Sequence, residues 1–136
     1  MGKAAYNGTN DSIGGTAFNI VYALVGKTLW KLGRLNVGPY MGAVGTDKNL
    51  FASSSNPSRV DRVGVMAAWD RTMTEISPKL WLCVDFQSGM SGYGALSVAA
   101  AWSFSPNVSV IYGVDFYNDS KALPPTFTMQ LDANIF

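Results

Sequence analysis

Histidine is absent from this chain, glutamate occurs once, as Glu75, and cysteine once, as Cys83. Each scarcity excludes a class of chemistry. Without histidine there is no Ser–His–Asp or Cys–His arrangement, and the commonest zinc ligand is missing. A single cysteine makes neither an internal disulfide nor a thiolate metal site, and Cys83 reads as a small filler. Charge is sparse: 14% of residues carry it, the net charge is +1, and no basic cluster marks a nucleic-acid face. Nor does any stretch approach the ~20 consecutive apolar residues of a membrane helix, although 48% of the chain is apolar. No glycine-rich segment follows a strand and opens a helix, so no phosphate cradle is expected.

What is present is alternation. Within residues 79–117, Leu80, Leu82, Val84 and Phe86 share one face, and Trp81, Cys83, Asp85 and Gln87 the other. Next, Leu96, Val98, Ala100, Trp102 and Phe104 stand opposite Ala95, Ser97, Ala99, Ala101 and Ser103. A third run sets Val108, Val110, Tyr112, Val114 and Phe116 against Ser109, Ile111, Gly113, Asp115 and Tyr117. Strand side chains point alternately to two faces, so each run has a bulky apolar face and a small or polar one. A Gly/Ser loop separates the first two runs, and a tight turn at Ser105, Pro106 and Asn107 the last two.

The orientation of these faces decides the fold class. A sheet surface that meets water carries roughly a quarter to a third charged residues. The second face here is Ala, Ser and Gly with an occasional Asp, while most Lys and Arg residues lie at strand ends or in loops. Small residues suit the crowded interior of a narrow barrel, and a bulky uncharged face suits hydrocarbon. The pattern therefore predicts an all-β, antiparallel, up-and-down transmembrane β-barrel of about eight strands, forming one domain over residues 1–136. Strand lengths fit the roughly 9–11 residues that cross a bilayer with tilt. Trp30, Trp69, Trp102, Phe104 and Phe116 fall on the bulky parity and are expected to anchor at the membrane interfaces. The competing expectation is a soluble eight-stranded barrel, bulky residues inward, that binds a small apolar ligand.

The remaining segments extend the pattern. Residues 1–7 suit a short first strand, with Ala4 and Tyr6 on one face. From residue 16, Phe18, Ile20, Tyr22, Leu24 and then Trp30 are read as outward, with Ala17, Asn19, Val21, Ala23, Val25 and Lys27 inward. Residues 31–34 make a short turn. Leu35, Val37, Pro39 and Met41 then point out, and Asn36, Gly38, Tyr40 and Gly42 in. Pro39 has no N–H to donate, so a break in the ladder is expected there. After a polar loop over 45–61, Val63, Val65, Ala67 and Trp69 face out against Gly64, Met66, Ala68 and Asp70. The last strand points Phe127, Met129, Leu131, Ala133 and Ile135 outward. Connections alternate long and short, as outer-membrane barrels have long loops outside and short turns in the periplasm.

Candidate functional residues are the polar ones of the inner face. Hairpin registers that keep the parity set Asp85 beside Ser97 and Ser97 beside Asp115, and Cys83 opposite Asp70. With Asp70, Asp132, Gln87, Gln130, Asn19 and Asn134 they form a polar lumen inventory. Neighbouring strands lie ~4.8 Å apart, so the Asp85 and Asp115 carboxylates are expected about 10 Å apart across the serine. They either attract cations or polar solutes or form a hydrogen-bonded filling with Lys27 or Arg62 as counter-charges. The second role fits better, because an eight-stranded interior is just wide enough for side chains. Trp81 alone among the tryptophans faces inward, as a plug near one mouth. The loop over 51–59 is expected to be a solvated surface loop.

YALVGKTLWKLGRLNVGPYMG, LWLCVDFQSGMSGYGALSVAAAWSFSP, NVSVIYGVDFYND and TFTMQLD resemble the C-terminal part of porin-like outer-membrane proteins of Gram-negative bacteria. The likeness spans roughly residues 18–132. It implies an outer-membrane location, a lipid bilayer (or detergent) as the surrounding partner, and either a small structural barrel or part of a porin. Such chains commonly end in an aromatic residue read by the barrel-assembly machinery, a place that Phe136 takes. Residue 134, where an aromatic or aliphatic side chain usually sits, is Asn134. An exported barrel needs a leader and none precedes these strands, so Met1 is expected to be an introduced start on a mature or truncated chain. A fragment of a larger barrel would close on itself or pair with copies as a homo-oligomer. No enzyme activity, cofactor, metal or nucleic-acid partner is expected.

Overall fold

The computed structural model describes residues 20–42 and 51–133, apart from residues 54, 57 and 122. The expected strand over residues 1–7, Phe18, Asn19, Asn134, Ile135 and the terminal Phe136 lie outside the described residues. Within them the chain is all-β: β1 (Ile20–Tyr22), β2 (Val25–Thr28), β3 (Arg34–Gly42), β4 (Val63–Thr72), β5 (Leu80–Gln87), β6 (Ala95–Ser105), β7 (Val108–Tyr117) and β8 (Thr126–Ala133). Every ladder is antiparallel and joins neighbours up and down the sheet, which curls into a half-barrel. Among the described residues a 3-10 turn spans Trp30–Leu32, and Phe51 is also helical. No helix among the described residues is long and apolar enough to cross a membrane, which says nothing about strands.

The registers from β3 to β8 keep bulky residues in continuous rows. One row runs Leu35, Trp69, Val84, Val98, Val114, Phe127 across six strands. Another joins Leu80, Trp102, Val110 and Leu131. Burial identifies the convex side. Ala95 and Ala101 are buried, yet their bulky neighbours on the opposite face, Leu96 and Trp102, are 38% and 40% exposed. Small residues therefore line the concave side, as the alternation predicts, and Leu, Val and Phe stand on the outside with no second layer over them. Phe104 is the extra residue of a bulge where the β6–β7 register shifts between Ser103 and Ser105. A bulge re-aims the side chains near a turn, and Phe104 stays 60% exposed.

The first ladder departs from the expectation. Val21 pairs with Met41, Val25 with Val37 and Lys27 with Leu35, so these odd-numbered residues share the convex face. Ile20 and Tyr22, paired with Gly42 and Tyr40, are concave instead. Lys27 is thus not a lumen counter-charge. The cause is turn length. A turn over residues 31–34 would pair residue 30 with 35, whereas the Leu29 N–H donates to the Gly33 carbonyl at 2.7 Å and only residues 30–32 lie outside the ladder. Side chains repeat with period two, so a slip of one residue moves the whole strand to the other face. Trp30 consequently lies in the turn, 88% exposed, with φ of 38°. That left-handed conformation is costly for a bulky residue.

Pro39 acts where expected. The Ala23 N–H donates to the Pro39 carbonyl at 3.2 Å, but Pro39 has no N–H to return. The strand is interrupted there between β1 and β2, which otherwise lie end to end on β3 in one register.

Candidate functional site

Polar side chains collect on the concave face in two places, along the wall and at the loop end. On the wall, Asp85, Ser97, Asp115 and Thr126 are successive partners across β5, β6, β7 and β8. The sequence-derived neighbours Asp85, Ser97 and Asp115 are therefore brought together. Thr126 Oγ1 donates to Asp115 Oδ2 at 3.2 Å and shares a 3.2 Å bond with the Tyr117 hydroxyl. Among the described residues no Lys or Arg pairs with Asp85 or Asp115. Farther along β8, Gln130 Nε2 donates to Asp132 on the same face, and Asp132 lies opposite Ser109. Gln87 lies between Met66 and Ala95, and its backbone carbonyl accepts from Asn118 Nδ2 at 2.8 Å.

Nearer the short turns, Asp70 faces Cys83 as expected. Its counter-charge is Arg34, the β3 partner, with Nε donating to Oδ1 at 2.8 Å. Trp81 Nε1 donates to Asp70 Oδ2 at 3.4 Å, which holds the one inward tryptophan across the wall. Arg62, the other proposed counter-charge, precedes β4, where its carbonyl accepts from the Gly42 N–H at 2.7 Å. A turn over residues 31–34 hides this partner, because it takes Arg34 out of β3; with the turn ending at Gly33, Arg34 is the first β3 residue and pairs with Asp70. A cleft of about 880 Å³ opens here, lined among others by Thr28, Lys31, Arg34, Asp70, Thr72 and Glu75. Its charges are largely engaged: Arg34 with Asp70, Arg71 with Glu75 at 2.8 Å, and Lys31 Nζ 5.3 Å from the Trp30 ring centre.

Of the aromatics expected on the bulky parity, Trp30 lies in the turn and Phe104 is the unpaired bulge residue. Trp69, Trp102 and Phe116 belong to convex rows. Trp69 Nε1 donates to the Leu32 carbonyl at 2.7 Å and ties the β2–β3 turn to β4.

At the loop end the solvated loop expected over residues 51–59 is found in part: Ser55, Asn56, Ser58 and Arg59 are exposed, but the start of the segment is packed inward. Phe51 is fully buried and Ser53 4% exposed. The loop between β3 and β4 turns back on itself through an Ala52–Val60 bridge and the Ser53 N–H to Arg59 carbonyl bond, 3.0 Å. Phe51 packs against Tyr93 with ring centres 5.6 Å apart, and Tyr93 packs edge-on to Tyr40 at 5.1 Å. Gly42 is required beneath this ring, since a Cβ there would come within 2.6 Å of Phe51. The buried Tyr40 hydroxyl donates to the Ser88 carbonyl at 2.6 Å.

Asp119, between β7 and β8, fastens the loop. It is fully buried, and its carboxylate accepts from Ser53 Oγ at 2.9 Å, the Ser55 N–H at 2.9 Å, Ser55 Oγ at 2.6 Å and the Lys121 N–H at 3.1 Å. The Ser55 hydroxyl, with those further donors, holds this carboxyl far below the usual range despite desolvation. Asp61 provides a second fastening: it accepts from Arg59 Nε at 2.9 Å and the Met90 N–H at 2.7 Å, and the Arg59 bond lowers its pKa. These contacts join the β3–β4, β5–β6 and β7–β8 loops over one mouth of the half-barrel. Ser53 and Asp119 are 66 residues apart, and no local pattern announces their pairing.

The chain matches no protein-family model, no curated protein and no solved structure.

Proposed function

We propose that this chain is a non-enzymatic β-barrel unit of a bacterial outer membrane, porin-like or a small structural barrel, with a narrow polar lumen closed at its loop end. One observation carries the reading: from β3 to β8 the convex face is largely apolar and much of it is exposed, Lys27 on the β2 edge and Arg71 near the turn end being charged residues on that side. Val37, Val65, Val98, Tyr112 and Phe127 are 48%, 49%, 44%, 48% and 67% exposed. Soluble monomers rarely expose contiguous apolar patches beyond ~300–600 Å², whereas a bilayer needs such a band. The position of tryptophan supports it too, with Trp69 and Trp102 on convex rows near the short turns. Lipid is then the main partner, and the assembly machinery would read Phe136.

The joined loops and the wall interactions of Trp81 and Asp70 favour a filled interior over an open channel. A small barrel has little free lumen to begin with. The test is reconstitution into vesicles containing bromine-labelled lipids. Quenching of Trp69 and Trp102 but not Trp81, resolved with single Trp→Phe variants, is the expected result; a chain that stays in water, unquenched, would refute the reading. Planar-bilayer recording then separates the two forms, with silence expected for the filled barrel and steady open-channel current for a porin.

The second reading, a soluble barrel around a small apolar ligand, draws support from Ile20 and Tyr22 on the concave side. It requires the convex row of Val and Leu to be covered by something else, and it predicts a monodisperse protein without detergent.

A further inference from the structure

The turn end carries an excess of positive charge. Among the described residues Lys27, Lys31, Arg34, Arg71 and Lys79 gather there against Asp70, Glu75 and Asp132. Lys31, Arg34 and Arg71 line the cleft of about 880 Å³, with two carboxylates, Asp70 and Glu75, beside them. The existing pairs do not exhaust these cations. Arg71 is bound to Glu75, but Arg34 uses only Nε on Asp70; among the described residues its two terminal amino groups have no partner, and its side chain is 59% exposed. Lys31 has no carboxylate partner among them either, and its Nζ lies over the Trp30 ring. A planar guanidinium with an open edge near an ammonium is a donor set suited to phosphate oxygens. Three threonines, Thr28, Thr72 and Thr74, line the same cleft.

The backbone points to the same place. Trp30 lines the cleft and holds φ of 38°, a left-handed conformation that a bulky side chain keeps only where its surroundings impose it. Strain of this kind clusters at ligand clamps. Packing does not offset it, because the ring is 88% exposed. The turn itself is firmly placed: a Cβ on Gly33 would come within 2.5 Å of the Asp70 carbonyl, and Trp69 holds the Leu32 carbonyl. Next to the cleft, in the two turns that border it, Leu32 and Ile76 are each 68% exposed and continue the apolar surface to its edge. Cations, a strained open indole and an apolar border thus meet at one rim.

We propose that this cleft binds the phosphate group of an anionic phospholipid from the leaflet at the turn end. Arg34 and Lys31 take the phosphate oxygens, Trp30 lies along the head group, and the acyl chains run on the apolar wall past Leu32 and Ile76. The inference rests on the membrane reading, because the acyl chains need that wall beside them. Free phosphate has the same oxygens but no use for the indole or the apolar border.

The test uses the full chain refolded into vesicles of equal parts phosphatidylcholine and phosphatidylglycerol, floated, and then released for native mass spectrometry. The expected result is preferential retention of phosphatidylglycerol, reduced roughly fivefold by Lys31→Gln, since each cation near a lipid surface contributes about that factor. Arg34→Gln is combined with Asp70→Asn, so that no carboxylate is left without its partner, and should give a similar loss. Trp30→Gly separates ligand from scaffold. Glycine accepts a positive φ readily, so the unfolding midpoint should hold or rise while the lipid preference falls. Retention of the two lipids in proportion, or variants that keep the native preference, overturns the proposal. Displacement of the lipid by inorganic phosphate does so too, since the cleft would then be a site for a soluble anion. A chain that floats without lipid preference refutes this inference alone, whereas one that fails to float refutes the membrane reading with it.

Discussion

Phe51 and Val98 are both apolar and both belong to a β-sheet protein, yet one is fully buried and the other 44% exposed. The contrast runs through the whole molecule. Around Phe51 lie Tyr40, Tyr93, Ser53, Ser91 and Asp119, most of them buried and joined by hydrogen bonds between three loops. Around Val98 lie only its cross-strand partners Val84 and Val114 in a single exposed layer. The loop end is built like the core of a small soluble protein, whereas the described wall is a single layer with an exposed apolar face.

Substitutions sharpen the contrast from both sides. Phe51→Ala should cost the most, about 3–5 kcal/mol, because it empties a fully enclosed site; denaturant unfolding and faster cleavage of the β3–β4 loop would register it. Val98→Arg comes next and reads the surroundings of the wall. In lipid it should destabilise by about 2–4 kcal/mol near mid-depth, while at an exposed position in water the change stays within about 0.5 kcal/mol. Equal, small losses in vesicles and in water would break the comparison.

Asp119→Ala should follow, at roughly 1–3 kcal/mol, since the hydroxyls and N–H groups of Ser53 and Ser55 lose their acceptor. Its pH dependence has a definite sign. A carboxyl depressed in the folded state contributes stability that is complete above its unfolded value, ~3.9, and that fades as pH falls toward the folded value. The native chain should lose loop protection only in strong acid, and Asp119→Asn should remove that part of the acid sensitivity; hydrogen exchange at Ser55 against pH would show it. Glu75→Ala should be the smallest effect, within about 0.5 kcal/mol, because Arg71–Glu75 is an exposed i,i+4 pair. A larger loss in the unfolding midpoint would mean that the turn end is more tightly held than its exposure implies.

Much of the wall was legible beforehand. The rows from Leu35 to Phe127 and the neighbours Asp85, Ser97 and Asp115 follow from alternation plus short turns, because a hairpin of known turn length has only one register that keeps its faces. Pro39 was legible for the same local reason. The loop knot was not: Phe51 looked like a lone aromatic in a polar segment, and its partners come from loops tens of residues away. The positions of Lys27 and Arg34 both depend on where the turn after β2 ends, which alternation does not specify.

By itself the sequence determined which residues are strands and which side chains share a face, since both depend on neighbours within a few residues. Tertiary structure decided which face of the first strand turns inward, which cation meets Asp70, and that the polar loop folds under Asp119. Those outcomes depend on where a turn ends and on hydrogen bonds between distant loops, and a periodic pattern carries neither.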